Sequence, residues 1–171
     1  MYFRHNPHDM DEQTFLATFG GVYENSPWIA ELLWQRGRLS GEVDKLAAKL
    51  AAIVNEAERE QQLELIRAHP ELAGRAALAG ELTAESADEQ ASAGLDQCGE
   101  DELEQLRELN AAYREKFGFP FILAVKGASR QQVLDVFSRR LKNAPEAEFE
   151  NAMAEIHRIA RLRLQEIAGR A

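Results

Sequence analysis

The chain has 171 residues, of which 45% are hydrophobic and 29% charged, with a formal net charge of −9 and a pI near 5.0. That length suits one domain around a single core, and the composition is that of a globular chain rather than a disordered or membrane-embedded one. An acidic chain without a basic stripe excludes nucleic acid and anionic membrane surfaces as partners, because phosphate contacts need concentrated positive charge.

No apolar run approaches the roughly 20 residues that cross a bilayer. Residues 1–7 lack the apolar core of a signal peptide, and the closing Ile167-Ala168-Gly169-Arg170-Ala171 is no Ser-Lys-Leu address. Cys98 is the single cysteine, so no internal disulfide can form, which suits a reducing compartment. The expectation is one cytoplasmic domain over residues 1–171, with residues 1–10 loosely ordered.

In chain order, a short helix is predicted over residues 11–19, ending at Gly20-Gly21. Ser26 then reads as an N-cap with Pro27 at the first helical position, opening a helix towards Gly37. Ser40 can cap the next, where Val43, Leu46, Ala47, Leu50 and Val54 recur at helical spacing. A helix carrying Leu63, Leu65 and Ile66 should stop near Ala68, since Pro70 disfavours helix in the residue before it.

Residues 70–83 read as a connection or a weak helical turn. Thr83 or Ser86 caps a short helix that Gly94 ends. Residues 100–116 form a helix with Leu103, Leu106, Leu109 and Tyr113 on one face and Gly118 as its stop. Residues 119–125 break the pattern and read as a buried extended segment or a mixed entry into a helix. Two helices, over 129–141 and 145–167, close the chain, the last turning Phe149, Met153, Ile156, Ile159, Ala160 and Leu164 inward. The predicted class is all-α: a compact single-domain bundle of about eight helices with one buried non-helical Phe/Pro segment.

Of the four histidines, His5 and His8 sit in a polar stretch with too few ligands for a metal, and His157 reads as a surface or partly covered residue. No His-Glu-x-x-His pair exists and no repeated Glu-x-x-His, so no metal is expected. Acids around Cys98 disfavour its thiolate.

Three segments could carry chemistry. His69 falls where a helix must end, and Pro70 stiffens the backbone that presents the ring. A histidine so held can exchange a proton near neutral pH, or can simply satisfy helix-end carbonyls. Ser86, Ala87, Asp88, Glu89 and Gln90 put an acceptor, an amide and a hydroxyl side by side, although Ser86 with Glu89 could equally be a capping box. Phe121, Ile122, Leu123, Ala124 and Val125 follow Phe117-Gly118-Phe119-Pro120. A non-helical buried run of that kind is a core plug, or it offers unpaired peptide groups to a ligand with ureido and lactam groups.

Taken together, these segments resemble the 2-oxo-4-hydroxy-4-carboxy-5-ureidoimidazoline (OHCU) decarboxylase family. The blocks are Glu24-Asn25-Ser26-Pro27-Trp28, His69-Pro70-Glu71-Leu72-Ala73, residues 86–95, Leu109-Asn110-Ala111-Ala112-Tyr113, residues 117–125 and Ile159-Ala160-Arg161-Leu162-Arg163-Leu164, all in the family's order. The resemblance implies an all-helical, often dimeric enzyme of urate degradation that forms (S)-allantoin without metal or organic cofactor.

It implies His69 as proton donor, Glu89 as the carboxylate working with it, and Arg163 as a C-terminal arginine at the site. Arg161 lies two positions away, about 200° around the helix, so one of the two faces inward. Pro70, residues 86–90 and residues 121–125 become the substrate contacts. Asn25, where His is expected, and Leu39-Ser40-Gly41, in place of a more apolar connection, depart from the pattern. The rival readings are a helical interaction module without activity and a decarboxylase of a related ureide.

Overall fold

The computed structural model describes residues 1–169, and of residues 75 and 76 the backbone alone. The described residues form nine α-helices and two short 3-10 turns, with no strand. The all-α class therefore stands, with one helix more than expected, because residues 70–83 close a short turn of their own.

The helices are α1 (Glu12–Phe19), α2 (Trp28–Gln35), α3 (Val43–Glu56), α4 (Arg59–Arg67), α5 (Arg75–Ala79), α6 (Ala84–Ser92), α7 (Glu100–Phe117), α8 (Arg130–Arg140) and α9 (Pro145–Gly169). None is long and apolar enough to cross a membrane among the described residues. The chain divides into two compact units, one of Met1–Ala68 with α9 from Ile156 onward, the other of His69–Glu155.

In the first unit, Asp11 caps α1 by accepting from the Thr14 amide at 2.7 Å. Phe15, Phe19, Ile29, Leu33, Leu46 and Leu50 are buried and form its core. Two expected caps do not form: α2 starts after Pro27 without a side-chain cap, and Ser40 accepts from Glu42 ahead of α3 at 3.2 Å. Both serines are buried, so their hydroxyls lie in the chain's approach to the helix and not over its first turn. Residues 1–10, expected to be loosely ordered, make defined contacts. Phe3 donates to the Gly41 carbonyl at 3.0 Å, and its ring meets Phe19 edge-on at 5.2 Å.

In the second unit, Gly118 ends α7 at φ +75°, a left-handed conformation that glycine adopts without steric penalty. Ser129 and Gln132 form a full capping box on α8. Tyr113 is fully buried, with Phe117, Phe119, Phe121 and Phe137 around it at centroid distances of 4.4 to 6.0 Å. Residues 119–125 run between α7 and α8 without helix or strand, as expected of the Phe/Pro segment.

Candidate active site

His69 is the second residue after α4, whose C-cap is Ala68, and it is only 8% exposed. The backbone that follows it is clamped. Gln90 accepts from the Ala73 amide at 2.9 Å and donates to the Glu71 carbonyl at 3.4 Å, while Asn110 donates to the Leu72 carbonyl at 3.0 Å. Ala73 sits at φ +47°, where a side chain is disfavoured by about 1–2 kcal/mol. Such a conformation persists only where surrounding bonds over-determine it, and strain of this kind gathers at functional sites.

Gln90 thus has a structural task beside the substrate contact expected of it. Both ends of its amide hold the segment leading away from His69 and Pro70. Glu71, Ala73, Gly74, Asn110 and Arg114 line part of a cavity of about 510 Å³, which none of the expected site residues lines.

Helix α6 is capped by Thr83, whose hydroxyl accepts from the Ser86 amide at 3.3 Å. The capping-box reading of Ser86 and Glu89 therefore falls. Ser86 is buried, Glu89 and Pro70 are half-buried, and Ala87 and Asp88 are exposed.

The non-helical run 121–125 is tied at the Ile122 carbonyl and the Ala124 amide. Arg140 donates to the Ile122 carbonyl at 2.7 Å, and the Ala124 amide donates to Glu155 at 2.7 Å. Between them, the peptide groups of Leu123 meet no partner among the described residues. Phe121 stacks on Phe137 at 3.8 Å and lies under the Arg140 guanidinium at 4.6 Å.

In the first unit, Arg163 is 4% exposed and pairs with Glu24, 2% exposed, at 2.8 Å. The same Nη1 donates to the Gly21 carbonyl at 3.3 Å. Arg161 is 56% exposed and pairs with Asp44 at 2.8 Å. Burial thus separates the two arginines: Arg163 is the inward one.

Sequence reasoning missed Glu24, Gln90's clamp, Asn110, Arg140 and Glu155. A signal existed for two of them. Arg140 itself shares the helical stripe of Val133 and Phe137, and Glu24 is called for indirectly, because Arg163 shares that of Ile156, Ile159 and Ala160. A cation on an apolar stripe demands a buried acceptor.

His157 is held by Tyr23 at 2.9 Å on Nδ1 and by Asn55 at 3.1 Å on Nε2. Burial raises the Tyr23 hydroxyl far above its ordinary range. Nε2 faces the amide oxygen of Asn55, so in the neutral ring Nε2 donates and Nδ1 accepts from the Tyr23 hydroxyl. Burial lowers His157 below its ordinary 6.5. A lowered histidine contributes stability above pH 6.5 that is lost as the pH falls through its folded value. Denaturant midpoints should therefore decline between about pH 7 and 5, and less so in His157→Gln. An identical slope in both proteins would discount the histidine. Cys98 behaves as expected, its thiol raised by burial and then by Glu102. Among the described residues no cluster of His, Cys, Asp and Glu could hold a metal ion.

The family model for OHCU decarboxylase matches residues 8–165. The 2-oxo-4-hydroxy-4-carboxy-5-ureidoimidazoline decarboxylase of Haloferax volcanii is 41% identical, over 92% of this chain and 90% of its own length. The mouse enzyme of that name is 40% identical, over 94% and 89%. The crystal structure of (S)-allantoin synthase superposes at a TM-score of 0.75 with 33% identity, over 94% of this chain and 52% of that one. The chain belongs to the OHCU decarboxylase family.

Proposed function

We propose that this decarboxylase converts 2-oxo-4-hydroxy-4-carboxy-5-ureidoimidazoline to (S)-allantoin in urate degradation, without metal or organic cofactor. The observation that carries the proposal is the family match over residues 8–165, which includes every residue expected at the site. The relatives' names supply the substrate.

The chemistry follows from the substrate. As the bond to the carboxylate breaks, its electron pair forms a ring double bond and displaces the C=N pair onto nitrogen, which takes a proton. The ring hydroxyl then gives up its proton as it becomes a carbonyl, while the neighbouring carbon is protonated on one face. The ring is its own electron sink, so the protein has to orient the carboxylate, keep it poorly solvated and deliver the proton.

In this reading His69 delivers that proton, Glu89 sets its charge and orientation, and Arg163 reads a substrate oxygen. Pro70, Ser86, Ala87, Asp88, Gln90 and the peptide groups of residues 121–125 surround the ligand, and Gln90 also holds the loop beside it. A homodimer and a cytoplasmic setting belong to the same proposal.

The intermediate decays unaided to allantoin, so rate alone is ambiguous. With intermediate generated in place from urate, the purified chain should give allantoin enriched in the (S) form faster than spontaneous decay. Racemic allantoin at the spontaneous rate would overturn the proposal.

A further inference from the structure

A buried guanidinium remains charged, so what neutralises it decides what it can bind. In the first unit Glu24 supplies that neutralisation, and the loop carrying it is braced on several sides. Its neighbour Tyr23 bonds His157, which Asn55 holds in turn. Ser26 donates to the Tyr23 carbonyl at 3.2 Å. Asn25 sits at φ +46°, with its side chain donating to the Ala68 carbonyl at 3.4 Å. Asparagine is among the few residues that tolerate this conformation. The turn therefore delivers the Glu24 carboxylate to Arg163 in a fixed position.

We propose that Glu24 is a positioning residue that fixes the aim of Arg163 and cancels its charge, so that the arginine reads a neutral carbonyl of the substrate instead of clamping its carboxylate. This deepens, and rests on, the reading of Arg163 as substrate-facing. The physical reason lies in the reaction. A bare cation on the carboxylate stabilises the ground state, where the charge is concentrated, more than the transition state, where it is leaving with the carbon. Tight binding of that kind slows the chemical step. A neutral arginine–glutamate pair still offers planar N–H donors, which orient a lactam or ureido oxygen without that penalty.

The test uses the full chain with Glu24→Gln, Glu24→Asp and Arg163→Gln. Glu24→Gln should lower kcat by about tenfold or more while KM for the anionic substrate holds or falls, because transition-state and ground-state binding separate. In competition, its affinity for allantoate, a carboxylate-bearing ureide, should rise relative to that for neutral allantoin. Glu24→Asp keeps the charge but withdraws the carboxylate by one methylene. It should lose kcat through misalignment without changing the allantoate-to-allantoin preference.

Wild-type kcat in Glu24→Asp overturns the positioning claim, also if Glu24→Gln fails to fold. Folded Glu24→Gln with an unmoved ligand preference overturns the charge claim and leaves a structural ion pair. Full activity in Arg163→Gln removes the arginine from the site and sinks the underlying reading. Loss there beside an unaffected Glu24→Gln sinks the glutamate alone.

Discussion

His69→Ala is expected to give racemic allantoin at the spontaneous rate, from a protein that still folds. A positioned proton donor contributes about 10²–10⁴ in rate, and His69 is the one histidine in residues 69–155. Facial selectivity should vanish with the rate, because the proton that sets the stereocentre would then come from water. His69 is 8% exposed, so its removal leaves a small void, and the melting temperature should fall by only a few degrees. The backbone clamp of Gln90 and Asn110 does not pass through the imidazole and keeps the loop in place. An enantiomeric excess equal to wild type in His69→Ala would take His69 out of the mechanism. His69→Gln sharpens the comparison, since its amide retains hydrogen bonding but transfers no proton.

The helices were legible wherever a local signal decided them. Asp11 and Ser129 cap, Gly118 stops, and the inward stripe of α9 is buried throughout, because each depends on residues within a turn or two. Ser26 and Ser40 misled, since their hydroxyls are buried in the approach to a helix, and packing overrode a local preference.

The candidate site residues were legible only as a set of segments. The bonds that hold those segments, each within one unit, join residues far apart in the chain: Glu24 with Arg163, Asn110 with Leu72, Ala124 with Glu155. No periodicity encodes such pairs. The nearest sequence-level clue is a charged residue on an apolar stripe, which says that a partner exists but not which one. Gln90 shows the same limit in reverse. Its composition suggested a substrate contact, and nothing local announced the backbone that it also holds.

The largest loss of stability should come from Glu148→Ala. Glu148 is fully buried and accepts from Arg140 Nε at 3.0 and 3.2 Å, from Asn143 and Asn151 at 2.8 Å each, and from the Tyr113 hydroxyl. Burial pushes its carboxyl up, but the bonds from Arg140, Tyr113, Asn151 and Asn143 outweigh that and hold it below its ordinary value. This contribution is present above about pH 4.5 and is lost as the pH falls through the lower folded value.

Removing the carboxylate leaves Arg140 buried without its counter-charge and Tyr113 without its acceptor. The cost is about 3–5 kcal/mol by chemical denaturation. A loss under about 1 kcal/mol would mean that water replaces the carboxylate.

Stability and function should then separate in Arg140→Met/Glu148→Leu. Apolar residues of similar volume often replace a buried ion pair at little cost, so this variant should fold. It still removes the donor to the Ile122 carbonyl and the cation over Phe121, which between them hold the non-helical run where Leu123 presents its peptide groups. Activity should fall although the helices and the melting transition remain. A double variant that is both stable and fully active would show that the run keeps its shape by aromatic packing alone, and would make Arg140 a partner of Glu148 and nothing more.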